Sequence, residues 1–122
     1  MKRMLVLVAV ISLVGCAYIP SKWDGNEAKA IIDIEMSAKY FDCANVKSQI
    51  NDLNKQVEWF NTYSVSRGSN DIVALFEELH KTVAEFKERS DRGKVSPMYC
   101  SLKKKIIEQQ SDIIARAVQK RF

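Results

Sequence analysis

The sequence predicts an all-α protein, a small bundle of three to four helices, and three observations carry that prediction. Beyond residue 25, apolar residues recur in steps of three and four, the spacing of a helix that buries one face. Strand-like alternation of useful length is missing, as is any internal repeat. Four glycines and two prolines in 122 residues, 47% of them hydrophobic and 28% charged, suit one globular domain. They argue against a disordered or collagen-like chain.

The first element precedes the bundle. Lys2 and Arg3 make a positive start, and Met4 to Val14 an apolar run of eleven residues. That is the length of a signal-peptide apolar region, well short of the roughly 20 residues a membrane-spanning helix needs. Leu13-Val14-Gly15-Cys16 follows, and this order resembles the lipobox of bacterial lipoproteins. The resemblance implies that Cys16 receives a diacylglycerol on its thiol, that the chain is cleaved before it, and that the new amino group is acylated. Each buried acyl methylene contributes about 0.8 kcal/mol and stable anchoring takes more than one chain, which a triacylated Cys16 supplies. Ala17 in place of aspartate after the cysteine implies, in enteric-type bacteria, sorting to the inner leaflet of the outer membrane, facing the periplasm. The resemblance covers these residues only and is silent on the fold of the rest.

On this reading residues 1–15 are a signal peptide, 16–25 the lipidated cysteine and a short tether, and 26–122 the helical domain. Removing residues 1–15 takes away Lys2 and Arg3 and no acid, so 107 of the 122 residues remain and the formal charge falls from +4 to +2. A nucleic-acid partner thereby loses its main support. In the tether, Tyr18 and Trp23 either sit at the headgroup level, where amphipathic rings are favoured, or, for Trp23, pack on the first helix.

Asp24 with Glu27 three residues later resembles a capping box and starts that helix. Ile32, Met36, Tyr40, Cys43, Val46, Ile50, Leu53, Val57 and Phe60 then form an apolar stripe, uninterrupted by Pro or Gly. Asp42 could act as an N-cap and break the segment in two. Ser64 to Asn70, with Gly68, is a turn. A second helix follows with Ile72, Phe76, Leu79, Val83 and Phe86 on one face, ending at Ser90–Gly93. Ser96-Pro97 opens the last helix, with Tyr99, Leu102, Ile106, Ile113 and Ala117 on its apolar face and Cys100, Ile107, Ile114 and Val118 beside it. Segments 42–63, 70–90 and 97–121 make three helices. Segment 26–41 either folds back as a fourth or pairs with a partner, a second copy of the chain or a membrane protein, because its isoleucines need cover.

With Cys16 lipidated, Cys43 and Cys100 remain as a pair in an oxidising compartment, which favours a disulfide. Helix lengths agree. If the helices run antiparallel across the Ser64–Asn70 turn, residue 89 lies beside residue 42, and the last helix starts at that level, bringing Cys100 to Cys43.

A single histidine, His80, has no second histidine or free cysteine to share a metal with, and reads as a surface residue. Lys103-Lys104-Lys105, followed by Glu108, Asp112 and Arg116, reads as a charged helix face. Glycine-rich phosphate loops and serine-nucleophile motifs are missing, so neither a catalytic residue, a cofactor nor a metal is expected. Trp59 and Tyr63 lie one step off the core stripe. They are either anchors for a partner or a lid on the bundle against Val118 and Phe122. The function expected is a non-catalytic binding or accessory factor of an envelope assembly, held to the membrane by lipid. The alternative is a phage-linked or immunity-type lipoprotein that blocks an envelope-active protein.

Overall fold

The structure, a computed structural model, describes residues 21–121. Cys16, Tyr18 and Phe122 lie outside the described residues. Four helices follow in order: α1 (Gly25–Lys39), α2 (Val46–Ser66), α3 (Asn70–Asp91) and α4 (Pro97–Gln119). α1 packs on α2 and α4, and α3 packs on α2 and α4, so the four close into a ring. Pairings between residues at opposite ends of neighbouring helices, such as Glu27 with Ser64 and Glu85 with Lys103, make each neighbour antiparallel. No described helix is long and apolar enough to cross a membrane.

The fold-back of α1 follows from the chain at Asp42. Its carboxylate accepts from the Ala44 amide at 2.9 Å and the Asn45 side chain at 2.7 Å, a side-chain turn that ends one helix before the next begins. These bonds hold the Asp42 carboxyl below its ordinary range. Lys104 Nζ donates to the Phe41 carbonyl at 3.1 Å, satisfying an acceptor just past the end of α1. Asp24 caps the other end, accepting from the Glu27 amide at 3.2 Å. Ser96 caps α4 by accepting from the Tyr99 amide at 3.2 Å, with Pro97 in the first turn. Gly68 adopts φ +76° in the α2–α3 turn, a conformation that favours glycine.

The core faces of α2 and α3 are those the spacing predicts: Ile50, Leu53, Val57 and Phe60 from α2, and Ile72, Phe76, Leu79, Val83 and Phe86 from α3, are all buried. Rings of Phe60 and Phe76 meet across that interface at 4.6 Å. Two faces differ from expectation. In α1 and the two residues after it, Ile31, Ile34, Ala38 and Phe41 are buried, whereas Ile32, Met36 and Tyr40 are 39%, 44% and 69% exposed. A stripe carried back from α2 assumes one continuous helix, and the Asp42 turn resets the rotation. In α4, Cys100, Ile107, Ser111, Ile114 and Val118 are buried, whereas Leu102 and Ile113 are exposed. Ser111 tolerates its position because its hydroxyl donates to the Ile107 carbonyl at 2.6 Å.

The disulfide fixes that rotation of α4. Cys43 and Cys100 are bonded, S–S 2.09 Å, with Cα atoms 5.9 Å apart. The bridge ties the α1–α2 turn to the first turn of α4.

Candidate functional site

Trp59 and Tyr63 are one turn apart on α2, and their rings stack at 4.9 Å with planes within 8°. Trp59 is half exposed. The Tyr63 hydroxyl accepts from the Asn26 side chain at 3.0 Å, which fixes the pair against the start of α1. Beside Trp59 a groove of about 470 Å³ runs between α1 and α2, lined by Asn26, Lys29, Ala30, Asp33, Lys55, Gln56 and Trp59. Phe122, one of the two residues a lid would meet, lies outside the described residues.

The groove is lined by the indole of Trp59, the small Ala30 and charges of both signs. Lys29 and Asp33 pair at 2.8 Å but are largely exposed, so that pair contributes little to stability. Gln56 Oε1 is buried without a hydrogen-bond partner.

Sequence reasoning missed the cluster at the same end of the bundle. Glu27 is fully buried. Its carboxylate accepts from Ser64 Oγ at 2.6 Å and Ser69 Oγ at 3.0 Å, and pairs with Arg67 and with Arg121, the latter at 3.2 Å. Both arginines also donate to the Lys22 carbonyl at 3.3 Å. Arg121 further donates to Ser21 Oγ, which donates to Asp71 at 2.5 Å. Residues 21 and 22 are thus clamped to the α2–α3 turn and to the end of α4. A buried carboxylate survives only when paired and hydrogen-bonded, and here the pairing closes one end of the bundle. The signal was present: Glu27 lies four, seven and eleven residues before Ile31, Ile34 and Ala38, in phase with the buried stripe.

Neighbouring carboxyls respond to this end. Burial pushes Asp24 up, but the Tyr63 hydroxyl, the Glu27 and Asn26 amides and the Arg67 charge outweigh it and hold the carboxyl below its ordinary value. At Asp71 burial is likewise outweighed, by the Ser21 hydroxyl, backbone amides and Arg121. Glu35, facing α4, moves the other way: burial and the nearby Asp112 and Glu108 carboxylates raise it.

His80 Nε2 lies 2.6 Å from Glu58 Oε1 and joins α3 to α2. In the lysine triplet, Lys103 sits 3.7 Å from Glu85 and over the Tyr99 ring, Lys104 caps α1, and Lys105 is exposed. Comparison with family models, curated proteins and solved structures finds no match to this chain.

Proposed function

We propose that this chain is a lipoprotein anchored through Cys16 and facing the periplasm, which acts as a non-catalytic binding factor in an envelope assembly. In this reading the partner is another envelope protein, and it docks on the α1–α2 groove with Trp59 and Tyr63 as anchors. The observation that carries the binding half is the stacked, half-exposed Trp59 beside the α1–α2 groove. Large rigid aromatics lose little freedom on binding and dominate interface energetics. The anchor half is supported by the ordered signal Lys2-Arg3, Met4–Val14 and Leu13–Cys16.

The test is crosslinking in intact envelopes followed by pull-down. Trp59→Ala with Tyr63→Ala is expected to reduce recovery of a discrete crosslinked partner at least tenfold while the helical signal stays unchanged. Undiminished recovery from a folded variant would overturn the assigned surface.

A further inference from the structure

We propose that the outward face of α1, the line Ile32–Met36–Tyr40, lies against the bilayer that holds the lipid on Cys16; the inference rests on the anchor proposed above. These residues are spaced four apart on the side of α1 opposite Ile31, Ile34 and Ala38, and all three are exposed. An exposed apolar line on a small protein calls for a covering surface. The bundle does not supply it.

Three observations identify the cover as a membrane surface. The first is reach. Ser21 is five residues from Cys16, at most about 18 Å of extended chain, and α1 with its 15 residues is about 22 Å long. The clamp of Arg67, Arg121 and Asp71 on Ser21 and Lys22 brings the chain in beside the start of α1. The end of the bundle from which α1 starts is therefore held within that reach of Cys16. The second is charge. Lys22 and Lys39 are exposed near the two ends of the line, as expected for a helix lying on anionic headgroups. Of the α1 carboxylates, Glu27 is buried in its arginine pairs, Asp33 is paired with Lys29, and Glu35 is turned toward Asp112 on α4. The third is the aromatic placement. Trp23 just before α1 is 49% exposed and Tyr40 just after it is the more exposed still, and such rings favour the membrane–water boundary. Lys39 Nζ stands 5.8 Å from the Tyr40 ring, placing a cation beside the aromatic.

The outward apolar residues of α4 make the internal comparison. Ile113 is more exposed than Met36, yet it sits on α4, which the tether meets only through Arg121 beyond the helix end, and its face is expected to stay in water.

The test uses the mature, lipidated protein reconstituted into phosphatidylcholine–phosphatidylglycerol vesicles, with a nitroxide attached through Met36→Cys or Ile113→Cys. Collision with oxygen, which favours lipid, is compared with collision with a water-soluble nickel chelate. At position 36 the oxygen-to-nickel ratio is expected to rise at least threefold on vesicle attachment, with no change at position 113. Acylated protein that floats with its vesicles but keeps a water-exposed label at position 36 overturns the inference and leaves the anchor standing. Protein with an unmodified Cys16 that fails to float overturns both. A benzophenone coupled through Met36→Cys that yields a discrete protein adduct in native envelopes, instead of lipid adducts, also overturns it.

Discussion

At one end of the bundle Cys43 and Cys100 join the α1–α2 turn to α4 through a covalent bond; at the other, Glu27, Arg67 and Arg121 join α1 to the α2–α3 turn and the end of α4 through charge and hydrogen bonds. The first closure is insensitive to salt and vulnerable to reductant. The second depends on every partner staying in place, because desolvating a carboxylate is repaid only while its cations remain. Both ends link α1 and α4, and the charged end also takes in the α2–α3 turn through Ser64, Arg67 and Ser69. The groove and the clamped residues 21 and 22 lie at the charge-closed end, and that end is where sequence changes are expected to alter function and stability together.

The comparison is most strongly broken by removing the bridge. The Cys43→Ser, Cys100→Ser pair is expected to lose about 4 kcal/mol in urea unfolding, from the entropy of an open loop of 57 residues. Reductant added to the native protein should reproduce that loss. At the opposite end Glu27→Gln leaves two guanidinium groups without a counter-charge, one of them nearly buried. A loss of about 3 kcal/mol is expected, and hydrogen exchange should rise first at the start of α1. An unchanged midpoint would show that the arginines find other partners and that the charge closure is dispensable.

A smaller contrast sharpens the account of α1. Ile34→Ala removes a fully buried side chain and is expected to cost about 3 kcal/mol. Met36→Ala, two residues on, is expected to stay within about 0.5 kcal/mol in detergent-free solution. Equal costs would contradict the rotation described for this helix.

The smallest effects are those of pH. Asp24 and Asp71 are held below the ordinary carboxylate value, so each adds stability above that value and loses it as pH falls through its lowered one. Glu35 is raised, so the folded state favours its protonated form; that stability is present in acid and lost as pH rises through the raised value. Glu35→Gln is therefore expected to stabilise by a few tenths of a kcal/mol at pH 7, given solvent screening, and to be neutral below pH ~4. Urea midpoints at the two pH values check the sign.

Much of the fold was legible because α2 and α3 each bury one clean stripe, and because the turn at Gly68 sets their register well enough to bring Cys100 to Cys43. The faces of α1 and α4 were not. Both helices carry apolar residues on two sides, and periodicity alone cannot choose between Ile31–Ile34–Ala38 and Ile32–Met36–Tyr40. The Asp42 turn decides the first, and the disulfide at Cys100 decides the second. Trp59 and Tyr63 were recognisable as off-stripe aromatics, whereas the groove beside them requires the fold-back of α1. The role of Glu27 stayed hidden because a glutamate in a first turn ordinarily reads as a cap and a partner of the helix dipole. Its burial depends on Arg67 and Arg121, forty and ninety-four residues away.

The intact mass of the protein extracted from cell envelopes tests whether the bundle is held to a membrane through Cys16. The account predicts a chain lacking residues 1–15, carrying acyl groups on Cys16 and two fewer hydrogens for the Cys43–Cys100 bridge. A mass showing an unmodified Cys16, whether in the full chain or after cleavage elsewhere, would contradict it.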